Sequence, residues 1–297
     1  MTMSKIILSI TPNPSLDLSG IVTSLYQNEK SYVTSELRSP GGNAINAARV
    51  LNRLGVPVLA TGFLGGHIGQ EVRKFLDLDG VKNKFIQIEG STRINVTVSN
   101  NSDHQQTRLS FPGPEIQKLE VQRLFKIFEV SKNVKLLTIG GSLPMGFTFK
   151  HVKKLIKLAQ QRRIPTVIDC PGQILKQIIS ARPLMIKPNL EEFHQLTGTP
   201  VKSIAAVEKE ARKLLNQVPF ICVSSVEDGT LLVTQDGSYF GRIPKIKIKS
   251  TVGAGDSMVG AMIAQLFRGN FSGAELLRWV VEDDPERPNV GRSVDLA

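Results

Sequence analysis

The alternation that sets the fold class lies in residues 135–187, which read KLLTIGGSLPMGFTFKHVKKLIKLAQQRRIPTVIDCPGQILKQIISARPLMIK. Short apolar runs typical of buried strands alternate there with longer stretches that carry apolar residues every three or four positions. The predicted elements are strands at Lys135–Ile139, Thr166–Asp169 and Leu184–Lys187, and helices near Thr148–Arg162 and Gln173–Ile179. This alternation predicts an α/β fold in which a mainly parallel sheet carries helices on both faces.

The same rhythm continues beyond residue 187. Asn189 has the side chain of a helix N-cap and precedes an amphipathic stretch at Glu191–Leu196. A further helix is predicted over about Ala205–Asn216, and a strand is predicted at Phe220–Val223. These elements extend the predicted sheet.

Two segments depart from this rhythm. Residues 16–38 and 94–111 alternate apolar and polar residues with little helical period. Short strands inserted into an α/β fold would suit a small β lid over an active site. Since no repeat or low-complexity linker divides the chain, we predict one domain, residues 1–297, with lid strands within these two segments.

The chain is basic, with 37 Lys and Arg against 26 Asp and Glu and a formal net charge of +11. Such a balance favours polyanionic partners, either nucleic acids or phosphorylated metabolites. No nucleic-acid-binding motif accompanies the charge, so no nucleic-acid partner is expected. Several lysines fall on the solvated face of one predicted helix, namely Lys150, Lys153, Lys154 and Lys157.

The distribution of apolar residues and cysteines bears on location. No stretch approaches the roughly 20 apolar residues that span a bilayer, so a cytoplasmic protein without a membrane partner is expected. Cys170 and Cys222 are the only cysteines. They lack metal-site spacing and are predicted to be half-buried free thiols.

The sharpest motif is Ser250-Thr251-Val252-Gly253-Ala254-Gly255-Asp256-Ser257, which opens an amphipathic helix near Met258–Phe267. Small residues let the backbone N–H groups of Gly253, Ala254 and Gly255 converge on one point, where a helix N-terminus favours a phosphate. A carboxylate at Asp256 could accept the proton of an acceptor hydroxyl while these amides stabilise a transferring phosphoryl group. The alternative is a glycine-rich helix start that Asp256 merely caps.

A second motif, PGGNAINAAR at residues 40–49, leads into another helix. Gly41 and Gly42 would let the backbone approach a ligand closely. Asn43 and Asn46 lie one helical turn apart and could present two amides to sugar hydroxyls. The alternative is a tight turn before an ordinary core helix. The chain lacks a P-loop motif, and it also lacks a dinucleotide-binding Gly-x-Gly-x-x-Gly motif after its first strand.

In this order and spacing, the two motifs resemble those of the ribokinase-like, PfkB-type carbohydrate kinases, and the similarity extends over roughly residues 5–279. The resemblance is strongest to the sugar-phosphate branch. It implies a three-layer α/β/α fold with a β-strand lid, and ATP-dependent phosphorylation of a hexose phosphate, foremost fructose 6-phosphate. Fructose 1-phosphate and tagatose 6-phosphate are the alternative acceptors. A sugar-phosphate- or nucleotide-binding relative with little catalysis is the alternative from another class.

The resemblance also implies roles for individual residues. Sugar hydroxyls would be held by Asp17, Gly41, Gly42 and Asn46. The phosphate already on the sugar would be held by Arg93 and Ser142, and across a lid-mediated homodimer by Lys30 of the other copy. ATP would contact Lys187, Asn189, Ser224 and Gly229, and Mg²⁺ would lie near Asn189 and Glu192, through water.

Three departures from the family pattern stand out. Asn43 replaces a lysine or glycine, and Val226 with Glu227 replaces a small turn that would otherwise leave room for the nucleotide. From residue 280 the chain reads VVEDDPERPNVGRSVDLA, whose charges and prolines predict an exposed, atypical tail. A reading-frame shift would produce such an abrupt change and would weaken nucleotide binding. A genuine lineage-specific tail is the alternative.

Overall fold

The computed structural model describes residues 4–242 and 254–281. In chain order the strands are β1 Ile6–Thr11, β2 Ser15–Val22, β3 Val33–Gly41, β4 Val58–Gly65, β5 Ile86–Ile88, β6 Arg93–Asn100, β7 Gln105–Leu109, β8 Val134–Gly140, β9 Thr166–Asp169, β10 Met185–Ile186, β11 Phe220–Val226, β12 Gly229–Val233 and β13 Ser238–Arg242. The helices are α1 Asn43–Arg53, α2 Gly66–Leu78, α3 Lys118–Val130, α4 Phe149–Gln161, α5 Gly172–Ile178, α6 Leu190–Thr197, α7 Ile204–Arg212, α8 Ala254–Arg268 and α9 Gly273–Val281.

The larger sheet has the strand order β13-β12-β11-β10-β9-β8-β1-β4-β5. Its strands are parallel from β5 to β11, and β12 and β13 are antiparallel to their neighbours. In central β1 the apolar side chains alternate between the two faces, with Ile7 in one core cluster and Leu8 and Ile10 in the other. The sheet is therefore covered on both sides.

The two core clusters divide the helices into two layers. One face of the sheet packs against α3 to α7, for example through Phe128, Ile156 and Phe193. The opposite face packs against α1, α2, α8 and α9, with Leu51 and Met262 among the buried residues. This arrangement confirms the three-layer α/β/α fold expected from the alternating sequence pattern.

A second sheet of four strands has the order β3-β2-β6-β7. It is built from the two segments that interrupt the strand–helix rhythm, with β2 and β6 parallel and both outer pairings antiparallel. This sheet and the connection between β2 and β3 carry exposed apolar side chains, including Leu25, Tyr26, Tyr32 and Leu37.

Several local predictions are confirmed and others need correction. Strand β9 has the predicted bounds, and Asn189 caps α6 through its side chain. Helix α8 begins at Ala254, so that Asp256 lies within its first turn and not before it. Cys170 and Cys222 are fully buried, not half-buried, because each lies on or beside a central strand.

No helix in residues 4–242 and 254–281 is long and apolar enough to cross a membrane. Gly253 and most of the predicted atypical tail lie outside the described residues. Helix α9 ends at Val281.

Candidate active site

A cavity of about 510 Å³ lies where the carboxyl ends of the parallel strands meet the four-stranded sheet. In open parallel sheets, ligands bind at this edge because the loops after the strands converge there. Most of the predicted site residues line it: Asp17, Gly42, Asn46, Arg93, Ser142, Lys187, Asn189, Glu192, Gly255 and Asp256. Residues as far apart in the chain as Asp17 and Asp256 therefore meet at one place.

Asp256 and Asn46 form the first polar pair of this cavity. The Asn46 Nδ2 amide donates to Asp256 Oδ2 at 2.8 Å, although the two residues are 210 positions apart. Helices α1 and α8 can approach closely because Gly260 faces Val50, where a Cβ would meet the valine side chain at 2.9 Å. Burial raises the pKa of Asp256 to about 7, and the nearby charge of Asp169 adds to this effect.

A buried ion pair lies beside Asp256. The carboxylate of Asp169, at the end of β9, lies 3.8 Å from Lys187 Nζ. The same carboxylate accepts a hydrogen bond from Asn43 Nδ2 at 3.0 Å. Burial acts to lower the pKa of Lys187, but the neighbouring carboxylates, Asp169 first, outweigh it and leave the pKa raised. The ammonium of Lys187 is therefore charged at neutral pH.

Asp169 was not identified as a site residue from the sequence. A signal was present, because an acidic residue directly follows the apolar run Thr166–Ile168. Asn43 was considered only as a partner for sugar hydroxyls. In the structure Asn43 lines the cavity, and its Nδ2 amide also donates to the Asp169 carboxylate.

Asp17 projects into the cavity from β2. Its Oδ1 accepts hydrogen bonds from Ser15 Oγ at 2.7 Å and from Asn95 Nδ2 at 3.0 Å. Gly41 does not line the cavity, but a Cβ at this position would lie 2.3 to 2.4 Å from the Asp17 carboxylate atoms. The glycine is thus required to leave room for Asp17, and not to approach a ligand with its own backbone.

Gly41→Ala is expected to displace the Asp17 carboxylate and to raise the apparent KM for the acceptor by about tenfold, the equivalent of one lost charged hydrogen bond. Steady-state kinetics with the acceptor as the varied substrate would measure this. Gly237→Ala is the matched control, because its added Cβ would come no closer than 3.4 Å to a neighbouring atom. Unchanged acceptor kinetics in Gly41→Ala would show that Asp17 does not need its present position.

Arg93 and Ser142 meet at the other end of the cavity. Arg93 donates from Nη1 to the Phe111 carbonyl at 2.7 Å and from Nη2 to the Asn13 carbonyl at 3.0 Å. Asn13 Nδ2 in turn donates to Ser142 Oγ at 3.0 Å, so Asn13 links the two residues. Arg93 Nε is buried and has no hydrogen-bond partner, which leaves a donor for an anion.

Asn189 and Glu192 also face the cavity, but their side chains serve the start of α6. Asn189 Oδ1 accepts a hydrogen bond from the Glu192 backbone N–H at 2.8 Å. Glu192 Oε2 in turn accepts one from the Asn189 backbone N–H at 2.9 Å. Burial raises the pKa of Glu192. Mg²⁺ usually keeps several waters and few protein ligands. The free Glu192 oxygen and the nearby Asp169 carboxylate therefore fit an ion held through water. Asn189 Oδ1 already accepts the hydrogen bond from the Glu192 backbone amide.

Besides Gly41, the predicted site residues Lys30, Ser224 and Gly229 are absent from the lining of this cavity. Lys30 is exposed in the connection between β2 and β3. Ser224 borders the site only through its backbone pairing with Asn189. Gly229 pairs with β13, and a Cβ there would meet the Phe240 ring at 2.5 Å, so its small size serves strand packing. The cavity lining also includes polar residues that were not identified from the sequence, among them Ser15, Asn95, Arg108 and Asp169.

The cavity thus combines a carboxyl group whose pKa is raised to about 7, a buried lysine near it and, at the far end, an arginine with an unpartnered donor. Such combinations of shifted pKa values in a cleft are typical of functional sites. Residues 13–279 match the model of the pfkB family carbohydrate kinases. The chain therefore belongs to the PfkB family, and it is a carbohydrate kinase that transfers a phosphoryl group to a sugar hydroxyl.

Solved structures agree with this assignment. Phosphofructokinase-2 from Escherichia coli in complex with fructose-6-phosphate is 30% identical with a TM-score of 0.86, over 94% of this chain and 92% of that chain. A protein from Thermotoga maritima described as a possible 1-phosphofructokinase is 25% identical with a TM-score of 0.81, over 95% and 94%. Arabidopsis thaliana ribokinase complexed with ribose and ATP shares the fold at 19% identity, with a TM-score of 0.75 over 94% and 90%.

Proposed function

We propose that this kinase phosphorylates fructose 6-phosphate at O1, with ATP as the phosphoryl donor. The observation that carries the proposal is the Asp256 carboxylate, which has a pKa of about 7 and opens onto the same cavity as Arg93 and Ser142. The resemblance to an enzyme solved with fructose-6-phosphate supports this choice of acceptor.

The acceptor would lie between two ends of the cavity. Its phosphate would bind at Arg93 and Ser142, where the unpartnered Arg93 Nε supplies one donor and the hydroxyl of Ser142 another. Its hydroxyl groups would bind Asp17 and Asn46. This placement directs the far end of the sugar towards Asp256.

In the reaction, Asp256 accepts the proton of the O1 hydroxyl as the oxygen attacks the γ-phosphorus of ATP, and ADP leaves. The amides of Ala254 and Gly255 in the first turn of α8, with that of Gly253 before them in the sequence, would stabilise the charge on the transferring group. Lys187 lies close to this turn, because a Cβ at Gly255 would be 3.2 Å from Lys187 Nζ. Its charge would stabilise the phosphates of the nucleotide.

The nucleotide would extend from Lys187 past Asn189 towards Ser224 and Gly229. Mg²⁺ would neutralise the phosphate charge, held near Glu192 and Asp169 through water. The positive φ angles of Ser225, Glu227 and Asp228 place a tight turn of non-glycine residues beside this path. The role of Asn189 in this proposal is structural, because its side chain caps the start of α6.

A homodimer through the four-stranded sheet completes the proposal. Exposed apolar side chains on this sheet and its β2–β3 connection, among them Tyr26, Tyr32 and Leu37, would be covered by a second copy. Lys30 lies in the same connection and would reach the sugar phosphate bound by the other copy. Sedimentation of the wild-type protein would test the oligomeric state.

A panel of acceptors in a coupled assay for ADP tests the reaction directly. Fructose 6-phosphate should give a higher kcat/KM than fructose 1-phosphate or tagatose 6-phosphate. Free fructose should be a poor acceptor because it cannot engage Arg93. If free fructose is phosphorylated as well as fructose 6-phosphate, the proposed acceptor is wrong.

Arg93→Ala should raise the apparent KM for the sugar phosphate by about 10- to 100-fold, since a charged hydrogen bond to phosphate contributes about 1.5–3 kcal/mol. The apparent KM for ATP should change far less. Arg123→Ala, an exposed arginine on α3, is the control for loss of a positive charge elsewhere. Equal effects of Arg93→Ala on both substrates would contradict a site dedicated to the sugar phosphate.

A further inference from the structure

A second cavity, of about 480 Å³, lies between the N-terminal ends of α3 and α4 and is here called the α3–α4 cavity. None of its lining residues belongs to the catalytic cavity. Its volume is within the range of about 300–1,000 Å³ that small-molecule sites occupy. Its lining includes the apolar residues Ile116, Val121 and Phe125 and the basic residues Lys118, His151 and Lys154.

One wall of the α3–α4 cavity is apolar and rigid. Ile116, Val121 and Phe125 are nearly inaccessible side chains that belong to the main core. The Phe125 ring also faces His151, with ring centroids 6.3 Å apart in an edge-on arrangement. The parts of these side chains that reach the cavity give it an apolar side.

The other wall is positively charged. Lys154 Nζ lies 4.8 Å from the centroid of the Phe125 ring, and Lys118 lines the cavity from the first turn of α3. The acidic residues nearby are Glu115 and Glu120, and the Glu120 carboxylate already accepts from the backbone amides of Glu89 and Gln117. An anion in the cavity would therefore meet ammonium groups beside an apolar surface.

His151 supplies a fixed hydrogen-bond donor. Its Nδ1 accepts from the Thr148 amide at 3.0 Å, which leaves the ring proton on Nε2 in the neutral form. Burial, together with the charge of Lys154, lowers the pKa of His151. The imidazole is also stacked on Phe147 at 5.2 Å between ring centroids, so its orientation is held.

The charge of the surrounding chain favours an anion as well. Residues 130–168 contain eight Lys and Arg and no Asp or Glu. Helix α4 carries four of these lysines, of which Lys150, Lys154 and Lys157 are exposed. Of these lysines, Lys150 and Lys154 lie in the first two turns of α4, at the end that borders the α3–α4 cavity, where they would raise the local concentration of anionic ligands.

We propose that the α3–α4 cavity binds a small organic anion, namely a phosphate or carboxylate carried by a ring or another apolar group. The apolar wall receives the ring, Lys118 and Lys154 receive the charge, and His151 Nε2 donates a hydrogen bond. Neither half of this ligand would bind well alone, since each wall satisfies a different part of it.

Two loops join the α3–α4 cavity to the catalytic cavity. The first loop, residues 109–117, lines the catalytic cavity at Leu109 and the α3–α4 cavity at Ile116. The second loop, residues 141–146, lines the catalytic cavity at Ser142 and the α3–α4 cavity at Gly146. The loops are tied together by the Ile116 amide, which donates to the Met145 carbonyl at 2.8 Å. We expect a bound anion to change the affinity for the sugar phosphate, a consequence that rests on the function proposed above.

Phenyl phosphate is the probe for the binding test, with inorganic phosphate, benzoate and benzyl alcohol as partial probes. Calorimetry should show saturable binding of phenyl phosphate at least about tenfold tighter than that of inorganic phosphate. Benzoate shows whether a carboxylate can replace the phosphate. Lys118→Gln and Lys154→Gln should each weaken binding by about threefold to tenfold. Lys157→Gln, on the same helix but outside the cavity, should leave binding unchanged.

Nuclear magnetic resonance of the four histidines gives a second readout. Phenyl phosphate should raise the pKa of His151 and should not perturb the resonances of His67, His104 and His194. Equal losses in Lys154→Gln and Lys157→Gln, or equal affinity for inorganic phosphate, would show a diffuse basic surface only and overturn the site. Binding that disappears in Arg93→Ala would assign the probe to the catalytic cavity and also overturn it.

The expected coupling is measured separately, as the dissociation constant of fructose 6-phosphate with and without saturating phenyl phosphate. A shift of at least threefold supports coupling between the two cavities. An unchanged constant rejects the coupling while the binding result stands. If fructose 6-phosphate does not bind at all, the proposed acceptor has failed instead, and the calorimetry still tests the α3–α4 cavity.

Discussion

Asp256→Asn should lower turnover by at least about 100-fold, the usual range for loss of a general base, while the affinity for the sugar phosphate changes only a few-fold. The substitution keeps the shape of the side chain and its contact with Asn46. It removes the group that accepts the hydroxyl proton. Steady-state kinetics with both substrates varied would measure the change, and Asp236→Asn, at an exposed turn, is the matched control.

The pH dependence gives an independent check on the role of Asp256. Because the pKa of Asp256 is about 7, its basic form increases as the pH rises through 7, and kcat/KM should rise with it to a plateau. A residual activity in Asp256→Asn that still follows this titration would assign the titration to another group. Near-normal turnover in the variant would reject Asp256 as the base.

Asp256 should also make the stability of the fold depend on pH, and stability should fall over the range in which kcat/KM rises. A buried aspartate with a raised pKa holds its proton more tightly in the folded state than in the unfolded state. Stability therefore falls as the pH rises from about 4 towards 7 and stays lower above that window. Asp256→Asn removes this penalty, so its melting temperature at pH 8 should not lie below that of the wild type. A large loss of stability would mean that the kinetic defect reflects unfolding.

Lys187→Met should reduce both stability and activity. Removing one partner of a buried ion pair typically costs about 3–5 kcal/mol, and here both Asp169 and Asp256 would lose the nearby positive charge. The pKa of Asp256 should rise above 7, so that less of the base form is present at neutral pH. We expect turnover at pH 7 to fall by at least about tenfold, with partial recovery at higher pH.

Chemical denaturation and the pH profile of kcat would measure these two effects. Lys187→Arg keeps the charge and should recover much of the stability, whereas Lys202→Met, at an exposed position, should change neither property. A wild-type melting temperature together with a wild-type pH profile in Lys187→Met would show that this lysine does not balance the two carboxylates.

The elements that could be predicted from the sequence are those whose signals are local. Strand β9 and the capping of α6 by Asn189 depend on residues within a few positions of each other, and both predictions are confirmed. The glycine-rich start of α8 was recognised in the same way, although the helix begins four residues earlier than predicted. Local periodicity and capping chemistry are written in neighbouring residues, so no knowledge of the fold is required to read them.

The contacts within the site depend on pairings over long stretches of chain. Asn46 meets Asp256 across 210 positions only because α1 and α8 pack side by side. Gly41 looked like a ligand contact, but it makes room for Asp17, and Asn43 lines the cavity while its Nδ2 holds Asp169. The sequence could name the amides, glycines and carboxylates that this chemistry needs. Which of them touch was settled by sheet register and helix packing, because those bring together side chains that no local pattern relates.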